Sequence, residues 1–361
     1  MRTSYQEEDV KLLLKDITGL VEPQPTEERE KLIQLGRHYC EMLPIEYVPS
    51  AKYMEVYEEA LESYAEPVAR AIGKLADKVI AAKGKEVVLV SLARAGIPIG
   101  ILLKRYIRFK YQVEVEHYSI SIIRGRGIDK NAMNYLLERY DKSQLLFVDG
   151  WIGKGAILNE LKKDLQEFEG VSADIAVVAD PANVTELCGT HEDILIPSSC
   201  LNCTVSGLIS RTFLRDDIIG EKDFHGAVYY GELADSDLSY EFIHAIEQQF
   251  VLESEEQLGE KDSSQDHDQQ TERTGHGVDE VRAIAAEYGI DDINLVKPGI
   301  GETTRVLLRR VPWKVLIDEK YKDSKELAHI VRLAKEKNVP VEYHPLKYYR
   351  TCGIIKKLAD A

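Results

Sequence analysis

Short apolar runs alternate with amphipathic stretches along the first two thirds of the chain. Residues 86–91, 144–148 and 175–179 form largely apolar runs with many β-branched side chains. Such runs are typical of parallel strands that are buried on both faces. Residues 97–110 and 155–168 follow two of these runs and read as helices, with apolar side chains at helical spacing. The order predicts an α/β domain with a parallel sheet and helices on both of its faces.

The two ends of the chain follow other patterns. Residues 1–85 look mainly helical, and their longest helical stretch, 53–82, is interrupted near Pro67. The last 85 residues alternate helices and strands again, which predicts a separate α-β-α sandwich. We expect its helices at 279–288, 302–310, 325–336 and 351–358, and its strands at 313–317 and 341–344.

An acidic polar segment separates these two regions. Residues 253–276 contain eight Asp and Glu, two Lys and Arg, and a single aliphatic residue, Leu258. Such a segment cannot bury enough apolar surface to offset the entropy lost on ordering, so we predict a disordered linker. The chain then divides into a large domain (1–252), the linker (253–276) and a tail domain (277–361).

Composition and charge narrow the classes of function. The net charge of −16 argues against a protein that coats nucleic acid along its whole length. The tail differs, since it carries 16 Lys and Arg against 13 Asp and Glu. The longest apolar run, 95–103, is too short to span a bilayer, and the N-terminal residues do not read as a signal peptide. Five scattered cysteines argue against a disulfide scaffold, so we expect a cytoplasmic protein.

Two loops at the ends of predicted strands are suited to binding an anion. Residues 91–96 are mostly small, so their main-chain N–H groups can approach an anion, and Arg94 adds a positive charge. In the second loop, Asp149 follows a buried strand. Gly153 and Gly155 then permit a tight turn into a helix N-terminus, and Lys154 supplies a cation. The spacing is not that of a Walker loop.

The pair of loops resembles the type I phosphoribosyltransferase fold. The resemblance implies that residues 93–96 bind the pyrophosphate of phosphoribosyl pyrophosphate, Asp149 its ribose and residues 153–155 its 5′-phosphate. Gly150 stands where the family has a second acidic residue, and Arg124 and Arg126 would belong to a mobile loop that closes over the site. Mg²⁺ would be held mostly by substrate oxygens and water rather than by a protein metal site. The implied contact residues are Arg94, Ala95, Gly96, Asp149, Gly150, Gly153, Lys154 and Gly155.

Five longer stretches resemble a narrower bacterial family. They are VVLVSLARAGIPIG, HYSISIIRGRGID, LLFVDGWIGKGAI, IPSSCLNCTVSGLISRT and DFHGAVYYGELADSDLS. The family comprises phosphoribosyltransferase-like proteins found with tellurite-resistance and stress genes, and it is also called the cysteine protease StiP family. The two names imply two different kinds of chemistry.

The Cys200–Cys203 pair is the candidate site for a peptidase, a redox pair or half of a metal site. A cysteine peptidase needs a thiolate beside a histidine, and a third group that orients the histidine. His117, His191 and His225 are available for this role. Zinc is disfavoured because no second CxxC or paired histidine follows at a useful spacing. Two thiols in a loop of small residues are also typical of buried packing.

Three residues after this pair have both a functional and a structural interpretation. Ser206 and Arg211 are placed to line the same cleft and contact a phosphate, or Ser206 caps a helix while Arg211 is solvated. His225 is suited to act as a base or to donate to a phosphate. A lone histidine beside glycine and aromatic residues is more often packed and hydrogen-bonded.

The tail resembles the pelota and kink-turn RNA-binding family. The family motif is Gly-x-Asn-Glu-x-x-Lys, and Gly299, Glu302 and Arg305 match it, while Gly301 replaces the Asn. The resemblance continues through LLRRVPWKVLID, ELAHIVRLAKEKNVPVEY and YRTCGIIKKL. It implies an RNA-binding surface that includes Arg309; the alternative is a module that docks on a protein.

The sequence therefore predicts a phosphoribosyltransferase-like protein that uses phosphoribosyl pyrophosphate, coupled to RNA binding, in bacterial stress or tellurite resistance. Asp149, Arg124 and Arg126 would be its catalytic residues. Two alternatives stay open at this point. One is a cysteine peptidase that uses Cys200 or Cys203, and the other is a non-catalytic nucleotide sensor.

Overall fold

A parallel sheet forms the centre of the large domain in the computed structural model, which describes residues 1–251 and 276–356 apart from the side chains of residues 26, 27, 30 and 34. Six parallel strands follow the order β1-β4-β3-β6-β7-β8, and the short β5 pairs antiparallel to β4. Two further strands, β2 and β9, pair with each other in parallel. The strands are β1 (Lys11–Leu12), β2 (Lys15–Asp16), β3 (Val88–Ala93), β4 (Glu116–Ile123), β5 (Gly127–Ile128), β6 (Leu145–Trp151), β7 (Ile175–Ala179), β8 (Cys188–Thr190) and β9 (Gly226–Ala227).

Helices cover both faces of this sheet, so the predicted α/β class is confirmed. Helices α2 (Ala51–Lys83), α3 (Gly96–Tyr111) and α6 (Ser239–Glu247) pack together on one face. Helices α4 (Lys130–Leu137) and α5 (Ala156–Asp164) pack on the other. A shorter helix, α1 (Thr26–Gln34), precedes them. The central strands are largely apolar, as expected for strands that are buried on both faces.

The long helix α2 runs without a break through Pro67, where the sequence predicted an interruption. A proline inside a helix removes one hydrogen-bond donor and crowds the preceding turn. Here the apolar stripe of α2 is buried on both sides of the proline, as Tyr64 and Val68 show. Tertiary packing along the whole helix offsets the local cost.

The tail is the predicted α-β-α sandwich, with one element assigned wrongly. Its sheet has the order β10-β13-β11-β12, with helix α7 on one face and helices α8 and α9 on the other. The predicted final helix at 351–358 is wrong, because Thr351–Ile355 forms a central strand whose first four residues are buried. The elements are α7 (Gly277–Glu287), β10 (Val296–Pro298), α8 (Ile300–Arg309), β11 (Pro312–Ile317), α9 (Ala328–Glu336), β12 (Val341–Tyr343) and β13 (Thr351–Ile355).

One apolar cluster extends from the large domain into the tail. Leu195, Ile196 and Leu201 belong to the same buried cluster as Ile300 and Leu307 of α8. At the rim of this contact, Arg332 of α9 forms an ion pair with Glu59 of α2 at 2.7 Å. The tail therefore packs against the large domain through α8 and α9. The predicted linker lies almost wholly outside the described residues.

The helices that the structure describes include no candidate membrane span. None of them combines the length and the apolar character that are needed to cross a bilayer.

The contact between β8 and α2 yields a prediction for stability. A Cβ atom at Gly189 would lie 2.2 Å from the main-chain oxygen of Ala71, and backbone cannot move aside as a side chain can. We expect Gly189→Ala to lower the free energy of unfolding by about 1–3 kcal/mol through overpacking. Gly153→Ala is the matched control, because nothing lies within 4 Å of its added Cβ. Chemical denaturation measures both, and equal stability of the two variants would contradict this packing.

Candidate active site

Loops from both domains meet at the carboxyl ends of β3 and β6. In open α/β sheets, ligands bind at this edge. A cleft opens there, between the loop after β3, the segment after residue 197 and helix α8 of the tail. Its walls are formed by Arg94, Ala95, Pro98, Trp151, Ser198, Ser199, Leu201, Asn202, Val205, Ser206 and Arg305.

The loop expected to bind pyrophosphate is closed by contacts within the large domain. The Arg94 guanidinium donates to the Ile209 carbonyl at 2.7 Å and lies 3.2 Å from the Glu46 carboxylate. Gly96 begins α3, and a Cβ there would lie 2.4 Å from the main-chain oxygen of Val148. Glycine is thus needed at Gly96 because two strand-end loops approach each other closely, with or without a ligand.

Asp149 lies at the end of β6, as the sequence predicted. Burial raises the pKa of its carboxyl group to about 6, while a hydrogen bond from the Gly150 main-chain N–H opposes that rise. Gly150 supplies no second carboxylate. Asp149 is therefore a buried single acid rather than half of an acidic pair.

The turn expected to cradle a 5′-phosphate contacts the tail instead. Lys154 Nζ donates to the carbonyl oxygens of Ile293 and Val296, each at 3.0 Å. The Tyr349 hydroxyl donates to the Gly153 carbonyl at 2.6 Å. Burial, and then the charge of Lys297 in the tail, lower the pKa of Lys154 to about 8. The cation that a phosphate would need is used to dock the tail.

The motif expected to bind RNA faces the large domain. Arg309 donates to the Asn202 side chain at 2.5 Å and to the Cys200 carbonyl at 2.7 Å. A Cβ at Gly301 would lie 3.4 Å from Ser199 Oγ. Glu302 pairs with Arg305 at 3.2 Å, and the Arg305 side chain keeps 40% of its surface exposed. Arg305 is the member of the motif that stays open to a ligand.

Asp193 joins the two domains just below this motif. Its carboxylate accepts hydrogen bonds from the main-chain N–H groups of Ile300 and Arg350, each at 2.9 Å. The Cβ position of Gly299 lies 3.0 Å from the same carboxylate, so a larger residue there would press on it. Burial raises the pKa of Asp193 to about 6, which the two N–H donors oppose.

Cys200 and Cys203 are both buried. Burial raises the pKa of each thiol to about 12. Among the described residues, neither thiol has a hydrogen bond with a histidine. Ser206 follows a 3₁₀ turn at Cys203–Val205, and its hydroxyl donates to the Asn202 carbonyl at 2.8 Å, so it does not cap the start of a helix. Arg211 lies over the ring of Tyr39, 5.5 Å from its centroid.

His225 lies outside this cleft. Its Nδ1 is 2.8 Å from Ser121 Oγ, and its main-chain N–H donates to Asp129 at 2.6 Å. It is 8% exposed, which fits the interpretation of a packed histidine. His117 is likewise buried, with its ring between Ser91 and the Asp9 carbonyl.

A different cysteine contacts a histidine beside the turn between β4 and β5. His38 Nδ1 lies 2.9 Å from Cys40 Sγ, on a short 3₁₀ turn at Tyr39–Glu41. The hairpin turn between β4 and β5 covers this pair: the Arg124 main-chain N–H donates to the Tyr39 hydroxyl at 3.1 Å. Arg126 pairs with Glu41 at 2.7 Å. The loop expected to close over a phosphoribosyl site thus lies on the Cys40 turn.

A second pair lies on β8. Cys188 Sγ is 3.4 Å from Nε2 and 3.7 Å from Nδ1 of His191, and Nδ1 is 3.0 Å from the Asp180 carbonyl. Similar distances to both ring nitrogens place the sulfur beside the ring rather than in line with one nitrogen. This is poorer geometry for proton transfer than that at Cys40.

Similarity to known proteins identifies the family of the chain. Residues 3–247 match the family described as "Tellurite-like stress resistance cysteine protease StiP". The chain belongs to this family. A protein named "Cysteine protease StiP" in Acinetobacter baylyi (strain ATCC 33305 / BD413 / ADP1) is 37% identical over 98% of this chain and 94% of its own length. Residues 275–357 match the PELOTA RNA binding domain.

Solved structures of two phosphoribosyltransferases show a weak likeness to this member of the family. A hypoxanthine-guanine phosphoribosyltransferase of Bacillus anthracis str. 'Ames Ancestor' is 18% identical with a TM-score of 0.25, over 37% of this chain and 77% of its own. The hypoxanthine phosphoribosyltransferase of Trypanosoma cruzi is 20% identical, also with a TM-score of 0.25, over 36% and 71%.

The prediction of a phosphoribosyltransferase is therefore wrong. Both the family and the Acinetobacter relative are named as cysteine proteases. The physical reason for the error is that strand-end loops of small residues serve close packing and domain docking as well as phosphate binding. The Mg²⁺ expectation depended on phosphoribosyl pyrophosphate and stays a prediction, as does the nucleotide sensor.

Sequence reasoning missed the Cys40 turn. The signal was the spacing His38-x-Cys40, which puts a thiol and an imidazole on one tight turn. Cys40 was set aside as an isolated cysteine, and only folding brings Arg124 and Leu214 against it.

The buried carboxyl group of Asp149 yields a pH prediction. An unfolded aspartate has a pKa near 3.9, whereas the pKa of this carboxyl group in the folded protein is about 6. Its protonated form therefore stabilises the fold below pH 4, and this contribution is lost as the pH rises through 6. Asp149→Asn keeps the acceptor for Gly150 without this loss. We expect the variant to be more stable than the wild type at pH 7.5, by up to about 3 kcal/mol, and equally stable near pH 4. Thermal unfolding at both pH values measures this, and a pH-independent difference would contradict it.

Proposed function

We propose that this chain is a cysteine peptidase in which Cys40 is the nucleophile and His38 is the base. Membership of a family named for cysteine proteases supports the class of reaction. The 2.9 Å contact between His38 Nδ1 and Cys40 Sγ carries the assignment of residues. It is the shortest contact between a thiol and an imidazole nitrogen among the described residues.

The direction of proton transfer follows from the hydrogen bonds around the ring. The main-chain N–H of Cys40 donates to His38 Nδ1 at 3.4 Å, so Nδ1 is the unprotonated nitrogen. The thiol is then the donor in the short contact. A main-chain hydrogen bond at Arg124 holds the ring, and Nε2 is the ring nitrogen nearest to Gly125. This contact orients the imidazole as the third group of a catalytic triad does.

The proposed reaction needs no reactant other than the peptide and water. The Cys40 thiol passes its proton to His38 Nδ1 as the sulfur bonds to the carbonyl carbon of a peptide. The C–N bond then breaks, and protonated His38 gives the proton to the leaving amine. Water, deprotonated by His38, attacks the thioester and releases the acid and the free thiol.

Electrostatics keep the resting pair neutral. Burial, and then Arg126, lower the pKa of His38. Burial raises the pKa of Cys40 to about 11, against about 12 for Cys200, Cys203 and Cys352. Arg126 opposes that rise, because a positive charge favours the thiolate. A thiolate therefore forms only as substrate arrives and the proton moves.

Substrate must reach a thiol that is 1% exposed in this conformation. The turn over residues 124–126 lies above it, and the Arg126 side chain is 47% exposed at its ion pair with Glu41. An exposed pair of this kind contributes about 0–1 kcal/mol. The turn is also held by hydrogen bonds from the Arg124 N–H to Tyr39 and from the Gly125 N–H to Glu160, each worth about 0.5–1.5 kcal/mol, and these must also break before an extended peptide can lie across Cys40.

The peptidase assignment predicts the outcome of a panel of cysteine variants. We expect Cys40→Ala and His38→Ala to lower cleavage of a fluorescently labelled, unfolded casein at least a thousandfold, because each removes one partner of the proton transfer. Cys352→Ala is the control, since its thiol lies in the core of the tail. For the wild type, kcat/KM should rise with pH and level off below pH 6.5, since the pKa of His38 is lowered.

Other results in the same panel would contradict the assignment. Full activity of Cys40→Ala together with loss of activity in Cys200→Ala or Cys203→Ala would return the nucleophile to the CxxC pair. Loss only in Cys188→Ala would assign it to β8. Thermal unfolding of each variant separates loss of chemistry from loss of fold.

The tail supports a second function, which is binding of RNA. Its match to an RNA-binding domain favours this, and Arg305 stays exposed at the interdomain cleft. Gly301 and Arg309 lie against the large domain, so the docked tail offers only part of the motif. RNA that uses the whole motif must compete with the large domain for it.

Competition between docking and RNA binding predicts that loss of the positive charge at Lys154 strengthens RNA binding. Lys154→Met removes two hydrogen bonds that dock the tail and leaves the tail sequence unchanged. We expect the full-length variant to bind structured RNA about three- to tenfold more tightly than the wild type, although it has lost a positive charge. Fluorescence anisotropy at a fixed, stated salt concentration measures this.

The control is Lys163→Met, which removes the same charge from an exposed position on α5. It should leave the affinity unchanged or lower it slightly. Weaker RNA binding by Lys154→Met would show that Lys154 contacts RNA itself, and it would contradict competition between docking and RNA.

A further inference from the structure

Basic and hydroxyl side chains converge beside the Cys40 turn, at the end of β3. The Arg94 and Arg211 guanidinium groups share the surroundings of the Glu46 carboxylate, and Arg29 of α1 is the neighbour that acts most strongly on Arg211. Like charges held together in a partly buried place repel one another. Glu46 is the acidic group that faces both Arg94 and Arg211 in the described part of the chain.

Two donors of this group have no partner in the described structure. Arg211 Nε is buried and makes no hydrogen bond. The Tyr230 hydroxyl is also buried without a partner, on a residue that is 3% exposed and lies close to Glu46 and Arg94. Leaving a buried donor unpaired costs about 1–3 kcal/mol, so a bound group that accepts hydrogen bonds from both donors would be stabilised here.

The group is connected directly to the proposed nucleophile. Arg211 lies over the ring of Tyr39, with its Cζ atom 5.5 Å from the ring centroid. Three residues later, the Leu214 main-chain N–H donates to the Cys40 carbonyl at 3.0 Å, and Cys40 Sγ is 3.6 Å from the Leu214 carbonyl. The segment 211–214 thus runs from the arginine group to the thiol.

We propose that Arg94, Arg211 and Tyr230 form a subsite for an acidic side chain of the peptide substrate, close to the bond that is cleaved. This rests on the proposed peptidase function. A carboxylate accepts hydrogen bonds from both unpartnered donors, and guanidinium groups fit its planar geometry. Its negative charge would also offset the repulsion between the arginines.

The test is the preference of the enzyme among peptides. A library of proteome-derived peptides is incubated with the wild type, and the cleaved bonds are read by mass spectrometry. We expect Asp and Glu to be enriched at one fixed position beside the cleaved bond, at least fivefold over Asn and Gln. Arg211→Met should abolish the enrichment and raise KM for an acidic peptide at least tenfold, while Arg282→Met, an exposed control on α7, should change neither.

Tyr230→Phe keeps the test valid if Arg211→Met fails to fold. It removes a single hydroxyl without a partner, so the fold should persist while KM for the acidic peptide rises severalfold. Cleavage without any acidic preference, or a preference that both variants retain, would overturn the subsite.

A binding measurement separates this inference from the peptidase assignment. If the wild type cleaves no peptide, the proposed function fails, and the subsite is then judged by thermal unfolding of Cys40→Ala with glutarate. Glutarate should raise the unfolding temperature of Cys40→Ala, and it should not do so when Arg211→Met is added. No stabilisation by glutarate in either protein would overturn the subsite as well.

Discussion

The carboxylate of Asp193 is the interaction on which the arrangement of the two domains depends. It is 5% exposed, and it accepts the main-chain N–H groups of Ile300, at the start of α8, and of Arg350, just before β13. A buried carboxylate is costly unless its hydrogen bonds are made. Moving the tail away would remove both bonds at once, so Asp193 stabilises one position of the tail on the large domain.

The docked position of the tail explains which contacts are made at the carboxyl ends of β3 and β6. It brings Lys154 against tail carbonyls and Arg309 against Asn202. The loop that looked suited to a phosphate and the motif that looked suited to RNA therefore both lie in the interface between the two domains. The Cys40 turn contacts the hairpin turn at 124–126 within the large domain. The charge of Arg124 on this hairpin turn also acts on Lys154 and on Lys297 of the tail, so the proposed site adjoins the docking contact.

The sequence predicted the central strands of the large domain and the helices around them well, because each buried strand is a compact apolar run and each helix has one apolar face. It was wrong at the start of the chain, where residues predicted to be mainly helical form β1 and β2. It also failed at residues 351–358, where a short stretch with two lysines near its end looked like a helix. Cys352 and Ile354 are fully buried in the centre of the tail sheet, and that tertiary environment overrides a weak local preference. Local pattern does not contain this information.

The candidate site was harder to predict for a related reason. His38 and Cys40 are two residues apart, so their contact is local and was visible in principle. Whether they can act as base and nucleophile depends on contacts from distant segments, namely Arg124 over the turn and Leu214 beside the sulfur. Small-residue loops gave the stronger signal, yet Gly96 serves close packing and Lys154 serves docking. Composition of a loop indicates that something approaches its backbone, but not whether that is a ligand or another part of the chain.

Covalent labelling of the resting protein tests the central claim most directly. A peptidyl chloromethyl ketone alkylates a nucleophile that can bind a peptide beside it, and digestion with tandem mass spectrometry then identifies the modified residue. The account predicts an adduct on Cys40 that disappears in His38→Ala. An adduct on Cys188, Cys200 or Cys203, or labelling of Cys40 that does not depend on His38, would contradict it.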